Sequence, residues 1–284
     1  MRRKISRRVL FYATSTFIIV MMFSLLMFFT VFSMYREGTQ TYDELAQHLI
    51  RPIHGVEAIP ITTPEPLAEE PVEEEPEEPE EPEEEPEETF ILPDHITLPQ
   101  VDFDALHEIN PNVVGWILLE GTQINYPVVQ GTDNHHYLDH LFDGRRNAAG
   151  AIFVDSYNNP GFVDQNTVIY GHNMRDGSMF AALERYLTTG FFEENPWIFL
   201  LTPERNYVIK LFAGYQTNVG GNSWRLGFAD DDDKQEWLNE GRDRSVFASD
   251  VEVNPAHRVV TLSTCSGPAQ SGRFVAVGRL MPIA

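Results

Sequence analysis

Between Pro64 and Glu88 the sequence reads PEPLAEEPVEEEPEEPEEPEEEPEE, with seven prolines and fifteen glutamates in 25 residues. Proline ends helices and neighbouring like charges repel, so this tract reads as an extended, disordered spacer. In polyproline II, at about 3.1 Å per residue, it would reach roughly 75 Å. A role beyond spacing, as a polyanion that binds cations or holds the chain off an anionic surface, stays open. The tract carries most of the net charge of −23, and five basic side chains lie among the first eight residues. What remains is mildly acidic and has no basic stripe to displace counterions from phosphates, which argues against nucleic-acid binding. The one cysteine, Cys265, excludes a disulfide framework and a cysteine-based zinc site.

From Leu10 to Phe32 the chain runs twenty-three residues without a charge. A helix of about 20 residues crosses a hydrocarbon core of about 30 Å. A cleaved signal peptide is the alternative, but its apolar region is normally about 7–15 residues and ends in a small-x-small site. No such site follows here. Arg2, Arg3, Lys4, Arg7 and Arg8 precede the span and only Arg36 closely follows it, so the positive-inside rule puts the N-terminus in the cytoplasm. The expected organisation is a basic cytoplasmic tail (1–9), a single-pass membrane anchor (10–33) and a juxtamembrane segment (34–63) with a short helix at 41–50. A Glu/Pro linker (64–89) and an extracellular domain (90–284) follow.

Residues from about 95 onward suffice for one substantial core. VDFDALHEI (101–109) predicts a helix closed by Asn110-Pro111. Two strands flank Glu120-Gly121 within 116–129, and further strands are expected at 151–155, 166–172, 197–202, 206–216, 257–265 and 272–280. Helices are expected at 177–187 and at 231–243, the second with an aspartate run to cap it. About eight short strands at this spacing predict a mostly β domain with peripheral helices, closed or nearly closed into a β-barrel.

Cys265 is the last residue of the predicted strand HRVVTLSTC, beside a loop of small residues. A lone cysteine is most often a small buried hydrophobe. Here, however, Arg273 opens the next strand, where a hairpin brings it opposite the cysteine. A cation there lowers a thiol pKa and stabilises an oxyanion. Of nine histidines, His172 in YGHNM has the most telling position, at the end of NTVIYGH. Cys265, His172 and Arg273 together make a nucleophile, an acid/base group and an oxyanion donor.

TLSTC (261–265), Arg273 of GRFVAVGRL and YGHNM (170–174) resemble the sortases, cysteine transpeptidases of Gram-positive surfaces. The resemblance covers the folded domain. NVVGWI from Asn112, INYPVVQG from Ile124 and DNHHYL from Asp133 are similar to class B members in particular, as is the long helix-bearing insertion between Gln216 and His257. It implies the sortase-type eight-stranded barrel with an N-terminal helix, and a membrane-anchored catalytic domain outside the cell. It implies that Cys265 cleaves a sorting motif of the Asn-Pro-x-Thr-Asn kind after threonine through a thioacyl-enzyme. His172 then serves the departing and incoming amines, and Arg273 holds the oxyanion. Asn134, Leu138, Tyr170 and Ser263 match positions that contact the sorting peptide, and the backbone near Thr264 offers a second oxyanion donor. The implied partners are surface proteins with a C-terminal sorting motif, a peptidoglycan amine and the membrane through 10–33. No cofactor and no metal are implied. Two features depart from the family: the loop after Cys265 has Gly267, Pro268 and Ala269 where some class B members carry an acid, and the Glu/Pro tract is not usual.

The rival signals are weaker. His135, His136, Asp139 and His140 lack the spacing of a helical metal site, and Asp230–Asp233 fit no EF-hand register. Trp116, Trp197 and Trp224 read as core or rim residues. Three function classes remain open: a transpeptidase that anchors surface proteins or joins pilins, a tethered cysteine protease acting on the same motif, and a non-catalytic peptide-binding module.

Overall fold

The computed structural model describes residues 7–51, 88–265 and 271–284. The first six residues, the Glu/Pro linker to residue 87 with the segment before it, and the loop at 266–270 lie outside the described residues.

Helix α1 runs unbroken over Arg7–Leu49, 43 residues. The sequence suggested an anchor and a separate helix at 41–50. They join because no proline interrupts residues 33–41. Phe11–Thr30 has a mean hydropathy of 2.0 and none of it is buried. The C-terminal turns instead pack on the domain, with Tyr42 and Leu45 buried. Arg145 ties down the same stretch, donating to Glu37 at 3.1 Å and to Thr41 Oγ1 at 2.8 Å. Strand β1 (Ile50–Arg51) then pairs with β2 (Gln100–Val101). Helix α2 (Phe103–Ile109) follows, capped by the Asp102 side chain accepting from Ala105 N.

Eight strands close the barrel: β3 (Val113–Leu118), β4 (Asn125–Gln130), β5 (Ile152–Val154), β6 (Asn166–Tyr170), β7 (Trp197–Leu201), β8 (Asn206–Asn218), β9 (Val259–Cys265) and β10 (Gly272–Pro282). Around the wall the order is β10-β8-β7-β3-β4-β5-β6-β9, closing on β10. The pairs β4–β5 and β6–β9 are parallel and the others antiparallel. Trp116, Phe199 and Phe274 are among the largest fully buried side chains of the core. Trp116 stays satisfied there because its Nε1 donates to Asn125 Oδ1 at 2.8 Å.

The helix expected at 177–187 is instead a 3₁₀ segment over Ala181–Leu187. Met179 has φ of 57° and bridges to Asn173, so the chain cannot wind into an α-helix before it. The short helix α3 (Phe191–Glu194) follows the 3₁₀ segment and leads into β7. Helix α4 (Asp231–Asp243) matches its expected bounds, and its N-cap Asp230 accepts from Asp233 N at 2.9 Å. Trp237 and Leu238 of α4 cluster with Phe212, Tyr215, Val275 and Val277 on the outside of β8 and β10. These strands are therefore buried on both faces, which is why GRFVAVGRL reads as a continuous apolar run rather than an alternating one.

Candidate functional site

The parallel pair β6–β9 sets the geometry. Tyr170, the last residue of β6, is in register with Ser263 of β9. β9 continues two residues to Cys265, whose register partner on β10 is Arg273. β6 stops, and the chain continues through Gly171, whose N–H donates to Ser263 O at 3.1 Å. His172 and Cys265 thus each stand two residues beyond one register pair, on neighbouring paths roughly 4.8 Å apart. His172 was expected as the final strand residue. It leaves the strand because a Cβ on Gly171 would come within 2.6 Å of Phe180 Cγ and 2.5 Å of Ile152 Cδ1, and because Phe180 N donates to His172 O at 2.8 Å. Glycine permits that close approach, and the approach turns the histidine toward the barrel mouth.

The His172 ring is held by its Nε2, 2.7 Å from Leu138 O. A carbonyl only accepts, so Nε2 carries a proton, and Nδ1 is the ring nitrogen that can exchange a second one. Beneath the ring lies Gly150, with φ of +60°. A Cβ there would meet Tyr137 O at 2.6 Å, Leu138 O at 2.8 Å and His172 Cδ2 at 3.1 Å. Helix α1 reaches the same place, since Tyr42 Oη donates to Gly150 O at 2.9 Å and accepts from Phe142 N at 3.3 Å. Burial raises the Tyr42 pKa well above the ordinary phenol value, which keeps this donor protonated.

A cleft of about 390 Å³ opens over these residues, lined by Asn134, Leu138, Phe153, Tyr170, Gly171, His172, Ser263, Thr264 and Arg273. It gathers the four expected peptide-contact positions and Thr264 with His172 and Arg273, and Cys265 directly follows Thr264 along the strand. The half-buried Arg273 donates from Nη1 to Gly272 O at 2.8 Å. Thr264 Oγ1 is buried and has no hydrogen-bond partner among the described residues. The loop residues Gly267, Pro268 and Ala269 lie outside the described residues.

Sequence reasoning missed Phe153, which lines the cleft, and two residues behind its lining. The buried Asp155 accepts from Tyr170 Oη and from Asn134 Nδ2, each at 2.9 Å. Trp224, read as a core or rim residue, donates from Nε1 to Ser263 Oγ at 3.0 Å. Burial, and then the Asp155 charge, push the Tyr170 pKa well above its ordinary value. An acid directly after the apolar run AIFV was the only available signal for Asp155. The His/Asp group before β5 makes local contacts: His136 and His140 stack with centroids 4.2 Å apart, and His140 Nδ1 lies 2.8 Å from both His136 O and Asp139. An imidazole and a guanidinium at the barrel end where the cysteine strand stops are components of acyl transfer through a covalent thioester.

Comparison with known proteins agrees with that chemistry. Residues 117–281 match the Sortase domain family. Sortase B of Listeria monocytogenes is 38% identical over 178 residues, covering 62% of this chain and 72% of the relative. Sortase B of Staphylococcus aureus is 38% identical over 183 residues, covering 64% of this chain and 75% of the relative. Among solved structures, a Staphylococcus aureus sortase B–substrate complex superposes with a TM-score of 0.62 at 38% identity, covering 64% of this chain and 85% of that one.

Proposed function

The chain belongs to the sortase family of cysteine transpeptidases, and from that premise we propose that it cleaves an Asn-Pro-x-Thr-Asn type sorting motif after threonine and joins the threonine carbonyl to a peptidoglycan amine. The observation that carries the assignment of residues is the register of three strands: Cys265 opposite Arg273, and His172 as far beyond Tyr170 as Cys265 is beyond Ser263. With the thiol proton passed to His172, Cys265 Sγ attacks the carbonyl carbon of threonine, and Arg273 with backbone near Thr264 carries the oxyanion. The C–N bond then breaks, and His172 gives the departing amine its proton. An incoming amine attacks the thioester, its proton passes to His172, and the C–S bond breaks to regenerate the thiol. An amine held in place outcompetes water through its effective concentration, which separates transfer from hydrolysis.

Residues 10–33 serve in this reading as an uncleaved membrane anchor, with the basic tail inside and residues 90–284 as the catalytic domain outside. The exposed apolar stretch Phe11–Thr30 supports it. The organisation into a tail (1–9), anchor (10–33), juxtamembrane segment (34–63) and linker (64–89) belongs to the same proposal.

The test is mass spectrometry of the full chain in detergent, incubated with Asn-Pro-x-Thr-Asn peptides, with and without an added oligoglycine amine. The expected result is a thioacyl adduct on Cys265 that converts to an amine conjugate and is absent from Cys265→Ala. An adduct that only hydrolyses in the presence of varied amines would replace transfer with proteolysis. No adduct from any peptide would overturn the reading.

A further inference from the structure

Three polar groups of the cleft are each bonded from behind, and those bonds decide what each can offer a ligand. Asn134 Oδ1 accepts from Ser156 N at 2.7 Å, and its Nδ2 donates to Asp155 Oδ2 at 2.9 Å. A backbone amide only donates and a carboxylate only accepts, so the Asn134 side chain has one orientation, and its second N–H is what remains for the cleft. Tyr170 Oη donates its single proton to the same Asp155 oxygen, leaving only lone pairs. Ser263 Oγ accepts from Trp224 Nε1 at 3.0 Å, which leaves the hydroxyl proton to donate. Asp155 is 6% exposed and also accepts from Tyr157 N at 3.0 Å. No cation pairs with it among the described residues, so its partners are these three donors.

We propose that Asp155, with Trp224 in the parallel role on the opposite wall, is a positioning residue that fixes the hydrogen-bond polarity of the peptide cleft: a donor at Asn134, an acceptor at Tyr170 and a donor at Ser263. The inference rests on the cleft being the sorting-peptide site. Its chemical content is that the bound segment presents a carbonyl to Asn134, an N–H to Tyr170 and an acceptor to Ser263. A peptide with an amide side chain and an extended backbone meets that pattern. Asp155 touches no reacting atom, so it acts on binding of the peptide and not on the chemical step.

The experiment measures KM and kcat for thioacyl formation by the full chain in detergent with an Asn-Pro-Gln-Thr-Asn peptide. The variants are Asp155→Asn, Tyr170→Phe, their double variant and Trp224→Phe. Asparagine keeps the shape of Asp155 but brings its own N–H donors toward groups that already donate. Asp155→Asn is expected to raise KM about tenfold with kcat within about twofold. Tyr170→Phe should raise KM comparably, and the double variant should do little more than the worse single, because Asp155 sets the Tyr170 acceptor through the bond that Tyr170→Phe removes. Trp224→Phe removes only the indole N–H and should raise KM about threefold. It serves as the deciding variant if the melting curve shows Asp155→Asn unfolded. Additive effects in the double variant, an unchanged KM, or a loss confined to kcat, in a wild type that acylates, would overturn this inference alone. A wild type that forms no adduct would overturn the functional reading and this inference with it.

Discussion

The two walls of the cleft are built by different means. One carries Ser263, Thr264, Cys265 and Arg273 on the β9–β10 ladder, where strand register alone puts each residue opposite its partner. The other carries Asn134, Leu138 and His172 on connecting segments, held by hydrogen bonds and close packing: His172 by Leu138 O, Asn134 by Asp155, and the turn beneath them by Gly150 and Tyr42. In the proposed mechanism the ladder wall supplies the nucleophile and the oxyanion donor, which tolerate little movement, and the connecting wall supplies the proton carrier and two of the peptide contacts, Asn134 and Leu138. Function on the first wall is set by side-chain identity, and on the second by the neighbours that hold each side chain in place.

Substitutions on the ladder wall therefore give the largest losses. Cys265→Ala removes the proposed nucleophile, and no thioacyl adduct should form in mass spectra while the melting temperature stays near wild type. Survival of an adduct would move the nucleophile elsewhere. Arg273→Lys keeps the charge but not the planar fork of donors, so kcat should fall by about 10²–10³, the usual cost of an oxyanion donor, with a smaller change in KM. A kcat near wild type in a folded variant would exclude Arg273 as that donor.

On the connecting wall the most telling substitution touches no substrate. Gly150→Ala places a methyl group at φ +60°, 2.6 Å from Tyr137 O and 3.1 Å from His172 Cδ2. It should cost about 1–3 kcal/mol of stability through the strained backbone. It should also lower kcat about tenfold, since Leu138 O must move away from the histidine it holds. Equal activity per folded molecule would mean that His172 is positioned by something other than this turn. Tyr42→Phe is gentler. It leaves Gly150 O without its donor and should cost about 1–2 kcal/mol in urea denaturation, with kcat reduced only slightly. Were kcat to fall more than in Gly150→Ala, α1 would control the histidine more directly than the hydrogen bonds indicate.

The same contrast explains what could be read from the sequence. Residues on regular strands were legible: alternation located β9, an apolar run located β10, and the hairpin between them brings Arg273 opposite Cys265. Helix α4 was legible to its end residues because Asp230 caps it and its apolar face has a partner on β8 and β10. The connecting wall was not. His172 was placed on a strand that ends two residues earlier, because periodicity carries no sign of the packing of Gly171 against Phe180. The roles of Asp155 and Trp224 escaped notice for a related reason. Each acts through a neighbour distant in sequence, Trp224 on Ser263 and Asp155 on Asn134, and local pattern does not report such pairs. The continuity of α1 was hidden as well, since the change from exposed apolar residues to a packed face at Tyr42 and Leu45 looks in sequence like two elements.

The smallest predicted effect concerns how Trp224 reaches the ladder wall at all. It lies in the insertion between β8 and β9, and the next residue, Arg225, forms a two-pronged ion pair with Asp233 in the first turn of α4. Asp233 also accepts from Ala229 N at 2.9 Å, and these partners lower its pKa from 3.8 to about 2, Arg225 first. A carboxyl depressed on folding adds stability that is complete above its unfolded pKa and is lost as pH falls through the folded one. The melting temperature should therefore drop between about pH 4 and pH 2 partly on account of this pair, and Arg225→Gln should flatten that part of the curve. Because the pair faces solvent, the difference should also shrink in high salt. An Arg225→Gln profile parallel to wild type from pH 4 to 2 would mean that the insertion is held by Trp237 and its apolar neighbours alone, and Ser263 would then owe its indole partner to packing rather than to charge.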